Sequence, residues 1–267
     1  MLTGRPGTTQ MIKSASENRP FVLSSIALTG AVAALVLALL LLAPVARGGA
    51  GSAALYPRTI KLTDAKIARW AGVMKRAVVR AKPGLAARIV TTLPTGTTDG
   101  TQNVVLVLAR VDISPRQSWY KVRLPILPNN TIGYVQPRYL SSLFVVRTHL
   151  YVDRGSMTAT LKRSGKTVFK TRVGIGKSYW PTPRGEFYIR SKLTSFNNPF
   201  YGPIAFGTSA RSPTLTDWPG GGYVGVHGTN QPQIIPGRIS HGCIRMRNAA
   251  ILALARLMPV GTPLTIR

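Results

Sequence analysis

The stretch Ser240-His241-Gly242-Cys243-Ile244-Arg245-Met246 (SHGCIRM, 240–246) holds the only cysteine of the 267-residue chain and one of its three histidines. Three readings of Cys243 compete: a nucleophile, a metal ligand, and a small buried residue. A free thiol with a pKa of about 8.5 is only a few per cent thiolate at neutral pH, so a nucleophile needs a base or a positive charge beside it. Both lie close in sequence. His241 is two residues earlier, and in an extended segment i and i+2 share a face, an alternation that Arg245 and Arg247 continue. On spacing, His241 is the nominee for base. Gly242 leaves room for an acyl group beside the main chain, whose N–H groups can receive a developing oxyanion. Upstream, the β-like run Gly222-Tyr223-Val224-Gly225-Val226 leads into His227, Gly228 and Thr229. A metal site would draw on His227, His241 and Cys243, one ligand short of structural zinc, with Asp217 the nearest carboxylate in sequence. A buried cysteine between two satisfied core histidines fits the same spacing, which by itself does not choose.

Immediately after this stretch, AAILALARLM (249–258) predicts a helix, with Asn248 at the N-cap and Pro259 and Gly261 beyond the end, followed by a last strand in TPLTIR. Before it, VVRTHLYVDR, TATLKRSG and TVFKTRVGIG alternate as antiparallel strands with a hairpin at Ser164 and Gly165. The segment NNPFYGPIAFGTSARSPTLTDWPGG (197–221), rich in Gly, Pro and aromatics, is expected as a wall or lid over a groove, with Trp218 as readily an ordinary core residue. Residues 144–267 thus read as one mainly β domain with one or few helices.

Residues 67–143 carry short apolar runs between Pro and Gly turns, the pattern of a small barrel. Val79, Arg80, Pro83 and Gly84, then Trp119 to Val122 and Gly133 to Val135, resemble the marks of a bacterial SH3-type domain; such modules often bind wall peptides. Residues 46–66 read as a tether. Phe21 to Val45 is uncharged and long enough, at about 1.5 Å per residue, for a helix to span a hydrocarbon core of roughly 30 Å. It exceeds the apolar core of a signal peptide, and the reading is a single-pass anchor at the cytoplasmic membrane. Basic residues nearly balance across it, so orientation rests on the 20 residues before it forming a short cytoplasmic N-terminus, with the folded mass extracytoplasmic, in the periplasm or cell wall.

Lys and Arg number 35 against 7 Asp and Glu, a formal net charge of +28, which implies a polyanion as neighbour. Nucleic acid lacks support, since no zinc-finger spacing, RNP aromatic motif or basic helix with heptads is present. A lone cysteine forms no intramolecular disulfide, so packing must hold the fold.

His227-Gly228-Thr229 followed by Ser240-His241-Gly242-Cys243-Ile244-Arg245-Met246-x-Asn248 resembles the signature of the L,D-transpeptidase catalytic domain, also called the YkuD domain. Thr182, Pro183, Gly185 and Phe187 match that family's T-P-x-G-x-F run, and the similarity covers about 144–267, for which it implies a β-sandwich-like form. The resemblance implies that Cys243 attacks a peptide carbonyl to form a thioester, with His227 as general base oriented by the carbonyl of Gly228. It assigns His241 to orienting site and substrate, Ser240 to positioning the neighbouring histidine, the N–H groups of Gly242 and Cys243 to the oxyanion, and Arg245 to a substrate carboxylate. Asn248 is expected to support the loop and cap the helix. The implied substrate is a peptidoglycan stem tetrapeptide that loses D-Ala and is joined to a neighbouring stem as a 3-3 cross-link, with no metal or organic cofactor. The same thioester resolved by water would make a carboxypeptidase or an amidase, and loss of catalysis would leave a wall-binding protein. One departure is visible: Ala249 and Ala250 stand where many members carry an acidic residue, which forgoes a helix-dipole contribution of about 0.3 to 1 kcal/mol.

Overall fold

The alternation in Thr148-His149-Leu150-Tyr151-Val152-Asp153 folds as a strand whose Leu150 and Val152 are fully buried while His149 and Tyr151 stay partly exposed. The same period-2 logic organises most of the chain. A computed structural model describes residues 55–194, 198–215 and 222–267. The first sheet comprises β1 Arg58–Lys61, β2 Ala68–Gly72, β3 Ala77–Arg80, β4 Ile89–Leu93, β5 Val104–Ser114, β6 Gln117–Arg123, β7 Ile132–Val135 and β8 Phe144–Val146, ordered β4-β3-β7-β6-β5-β2-β8 with β1 paired to β5. The second comprises β9 Thr148–Asp153, β10 Thr158–Arg163, β11 Lys166–Arg172, β12 Gly174–Gly176, β13 Gly185–Leu193, β14 Ala205–Arg211, β15 Tyr223–His227, β16 Gly237–Ser240, β17 Ile244–Arg245 and β18 Pro263–Ile266, ordered β11-β10-β9-β18-β13-β14-β15-β17-β12-β16. One α-helix, α1, spans Asn248–Leu257. Among the described residues the protein is mainly β with a single α-helix.

The Ser164-Gly165 hairpin forms where the sequence placed it, both residues at positive φ (49° and 86°) between β10 and β11, as a tight two-residue turn demands. Helix α1 follows the apolar spacing: Ile251, Leu254 and Ala255, at i, i+3 and i+4, are buried against a core that includes Phe206, Val226, Ile244 and Met246. Its N-cap, however, is Arg247 and carries no side-chain cap bond; the Asn248 amide oxygen instead accepts the Thr229 N–H at 2.9 Å. Strand β1 lies inside the stretch read as a tether, and β8 pairs with β2 of the first sheet, so the second sheet starts at Thr148. The expected membrane segment 21–45, the residues before it, residues 46–54 of the tether, Asp217 and Trp218 lie outside the described residues. No helix among the described residues is long and apolar enough to cross a membrane.

The described residues belong to one compact unit, in which the two sheets share an apolar seam. Tyr188 of β13 is fully buried with Val104 and Leu106 of β5 and Val146 of β8, and its hydroxyl donates to the Val104 carbonyl at 2.9 Å. Asn129 accepts from the Arg211 N–H and donates to the Arg211 carbonyl, and Asn130 accepts from the Glu186 N–H. Gly261, at φ +83°, presses so closely on Trp70 that a Cβ would sit 2.0 Å from the indole. These contacts replace hydration of backbone groups at the seam by direct pairing, which buried amides require.

Candidate active site

Parallel pairing of β15 with β17, Val226 opposite Ile244 and His227 opposite Arg245, sets the histidine strand beside the cysteine segment. Gly225 lies beside both side chains. A Cβ there would lie 3.7 Å from the His227 ring and 3.9 Å from Cys243 Sγ, so ring and sulfur flank one point above the Gly225 backbone. Cys243 is partly exposed and lines a cleft together with His227, His241, Arg245, Tyr201 and Tyr223. The sealed apolar pocket of an inert cysteine is therefore not what surrounds it.

His227 is buried, with Nδ1 2.6 Å from the Gly228 carbonyl. A carbonyl only accepts, so Nδ1 carries the proton and Nε2 is the basic nitrogen; it is buried without a hydrogen-bond partner among the described residues. Burial drives the ring pKa down to about 4, against the Gly228 bond, which raises it, and with Arg245, which lowers it further. The imidazole is neutral at pH 7. Burial pushes the Cys243 thiol up, opposed by the Gly225 N–H, which donates to Sγ at 3.3 Å, and by the Arg245 charge. The resting pair is thus neutral thiol and neutral imidazole, poised for proton transfer on attack rather than charged in advance.

The cysteine segment is not extended. Gly242 at φ +115° bends the chain between β16 and β17, so the i, i+2 argument that nominated His241 does not apply. His241 does reach the cleft, with its ring 4.0 Å from that of Trp180; burial, Lys177 and Arg245 lower its pKa. Arg247 faces elsewhere and donates to the Ile235 carbonyl.

Two buried hydroxyls fix the bend. Ser240 Oγ donates to the Cys243 carbonyl and accepts the Gly242 N–H at 3.1 Å, so it braces the backbone of the bend. Thr182 Oγ1 donates to the Gly242 carbonyl at 2.8 Å and accepts the Gly176 N–H at 2.9 Å. Because a trans peptide sets C=O and N–H in opposite directions, the Thr182 bond also fixes where the Cys243 N–H points. With the Gly242 N–H committed to Ser240, the Cys243 N–H is the main-chain donor left for an oxyanion.

Arg245 is 4 % exposed, its guanidinium 4.1 Å over the Phe200 ring and its Nε without a hydrogen-bond partner among the described residues. A buried, uncompensated cation at a cleft wall is a receptor for an anion. Asn248 clamps the histidine loop: a Cβ on Gly228 would lie 2.4 Å from its Oδ1, and one on Gly202 2.5 Å. Phe200, Tyr201, Trp180 and Tyr223 were not singled out from sequence. The aromatic-rich segment expected as a wall does supply Phe200, Tyr201, Ser212 and Leu215 to the cleft.

The L,D-transpeptidase catalytic domain (YkuD) matches residues 147–266. The chain is 32 % identical to the YkuD protein of Bacillus subtilis (strain 168) over 123 residues, 46 % of this chain and 68 % of that protein. It is 33 % identical to the YkuD protein of Bacillus licheniformis over 115 residues, 43 % of this chain and 62 % of that one, so it spans less than two thirds of that relative. Among solved structures, the catalytic domain of an L,D-transpeptidase from E. faecium is 26 % identical, with 45 % of this chain and 96 % of that one covered at a TM-score of 0.35. From the domain match and the Bacillus subtilis identity, the chain belongs to the L,D-transpeptidase catalytic domain family.

Proposed function

We propose that the protein is a peptidoglycan L,D-transpeptidase that forms 3-3 cross-links through a cysteine thioester. The observation that carries this reading is the partly exposed Cys243 thiol sharing a cleft with a neutral His227 whose Nε2 lone pair is unclaimed. In the first half-reaction Nε2 of His227 takes the Sγ proton as sulfur bonds to the carbonyl carbon of the diamino residue. The tetrahedral oxyanion is held by the Cys243 N–H, the C–N bond to D-Ala breaks, and the proton on Nε2 passes to the departing amine. In the second, a side-chain amine of a neighbouring stem attacks the thioester and gives its proton to Nε2. The C–S bond then breaks, and sulfur recovers the proton. Arg245 binds a stem carboxylate, His241 orients the substrate from the opposite wall with Trp180, and Asn248 holds the His227 loop. No metal or organic cofactor enters this scheme.

Residues 21–45 anchor the chain in the cytoplasmic membrane and 46–57 tether it, with the catalytic domain outside. Residues 58–146 form an SH3-like wall-binding module ahead of the catalytic domain at 147–267. The +28 charge supports such a setting, since wall polymers rich in carboxylates and phosphates concentrate a cationic protein near them. Incubating the protein with a disaccharide tetrapeptide tests the reading by product mass. A cross-linked dimer with free D-Ala is expected. Tripeptide without dimer would reassign the protein as a carboxypeptidase, and unchanged substrate would remove the enzymatic reading.

A further inference from the structure

A second cavity, of about 420 Å³, is lined by Asp153, Arg154, Gly155, Arg184, Arg238 and Arg267. Its four arginines come from four separate elements: Arg154 follows β9, Arg184 precedes β13, Arg238 lies on β16 and Arg267 follows β18. Parallel pairing of β9 with β18, and antiparallel pairing of β18 with β13, bring Arg154, Arg184 and Arg267 to one end of the second sheet. Arg184, Arg238 and Arg267 are exposed and Arg154 is half-buried, so a solute can reach the cluster.

Like charges drawn to one space repel, and no carboxylate pairs with these. The single ion pair among the described residues is Arg110 with Asp112. Asp153, the acidic side chain of the lining, takes the Ser156 N–H on its Oδ1 at 2.8 Å; its pKa is lowered first by the Ser156 bonds and only last by Arg267. With the Asp153 and Arg267 carboxylates both counted, the lining keeps a net positive charge. Burial lowers the Arg154 pKa and the charges of Arg184 and Arg238 lower it further, the mark of guanidiniums held close together. Arg154 is also fixed in place. Its Nη1 donates to the carbonyl of the buried Thr182 at 2.7 Å, so the charge is set at the cavity before any ligand arrives.

We infer that this cavity is a binding site for the phosphate groups of a phosphodiester chain, with Arg154 as the fixed contact and Arg184, Arg238 and Arg267 closing on the phosphate oxygens. A guanidinium meets an oxyanion through a planar fork of N–H donors, and several forks around one space suit a group whose oxygens point in several directions; a carboxylate presents two in one plane. At the share of about 30 Å³ that each water takes in the liquid, the cavity has the volume of about fourteen waters, more than one phosphate fills and enough for the alcohol units on either side of it. The +28 charge draws polyanions to the whole surface, and the convergence of four arginines selects this place on it. The site stands apart from the proposed transpeptidation, since none of its residues lines the Cys243 cleft.

The test titrates ¹⁵N-labelled full-length chain with short poly(glycerol phosphate), and separately with inorganic phosphate, with poly-glutamate of equal charge and with phosphatidylglycerol vesicles. Saturable shifts are expected at the amides of Gly155, Arg184 and Arg238, with the phosphate polymer binding about 10-fold or more tightly than poly-glutamate or inorganic phosphate. Arg184→Gln combined with Arg238→Gln should weaken polymer binding by about 10-fold or more. Lys166→Gln combined with Lys170→Gln, exposed positions on β11, removes the same charge and should leave binding within about twofold of wild type. Amide spectra away from the substituted positions check that both variants keep the fold. Absence of shifts at the three amides, equal binding of phosphate and carboxylate polymers, equal losses in the two double variants, or shifts with vesicles alone would overturn the site. Inorganic phosphate binding as tightly as the polymer would overturn its assignment to a chain.

Discussion

Cys243 and His227 are both uncharged in the resting protein at pH 7, and at the scale of single residues one prediction follows from that state. His227 must be neutral to accept the thiol proton, and its pKa is held near 4, so kcat/KM should stay level through pH 6 and fall only toward pH 4. An acid limb centred near 6.5 would show instead an imidazole with ordinary solvation. Thr182→Val removes a hydroxyl that both accepts the Gly176 N–H and donates to the Gly242 carbonyl. The expected cost is about 1–3 kcal/mol of stability for the orphaned groups and, with the Cys243 N–H no longer aimed, a fall in kcat with KM little changed. Thermal melts and steady-state kinetics of the variant check both. Sequence spacing alone favoured His241 as the base because it assumed an extended backbone. Gly242 at positive φ breaks that assumption, and only the family resemblance pointed to His227 and to Thr182.

Among the elements, β12 carries the site from behind, and its glycines explain why. A Cβ on Gly176 would fall 2.2 Å from the Trp180 carbonyl oxygen and 2.5 Å from the Thr182 nitrogen, both main-chain atoms. Gly176→Ala should therefore displace the Thr182 segment, lowering stability by about 1–3 kcal/mol and reducing turnover. Gly165→Ala in the β10–β11 hairpin meets no neighbour and should cost only the left-handed strain, about 1–2 kcal/mol, with turnover intact. Equal kinetic effects of the two variants would show that β12 does not support the site. The hairpin and α1 were legible because alternation and i, i+3, i+4 spacing are local signals. Strand β1 was not, since Arg58-Thr59-Ile60-Lys61 has one part-buried residue and owes its existence to pairing with distant β5. The helix N-cap was misplaced because a tertiary partner, the Thr229 N–H, claims the Asn248 side chain.

Across the whole molecule, burial holds all three histidines below their ordinary pKa. As pH falls below about 6.5 the unfolded chain takes up protons that the native state refuses, so stability is full above that value and is lost progressively down to about pH 4. His227 alone contributes on the order of 3 kcal/mol to this loss. Denaturant melts across the window should show the decline, and His227→Gln should reduce it; a flat profile would show that these rings titrate normally. The sequence reading divides the chain at residue 144, whereas Phe144–Val146 pairs with β2 and the second sheet starts at Thr148. The buried seam around Tyr188 and the Asn129 and Asn130 bonds were not legible, because they join residues more than 50 positions apart whose types carry no pairing code. The account depends on Cys243 becoming covalently acylated with His227 as its base. Mass spectrometry after exposure to a carbapenem tests this most directly. Wild type should gain one adduct on the Cys243 peptide, Cys243→Ala none, and His227→Ala should acylate about 10²- to 10⁴-fold more slowly. Wild type and Cys243→Ala left equally unmodified, or an adduct formed as fast in His227→Ala as in wild type, would contradict it.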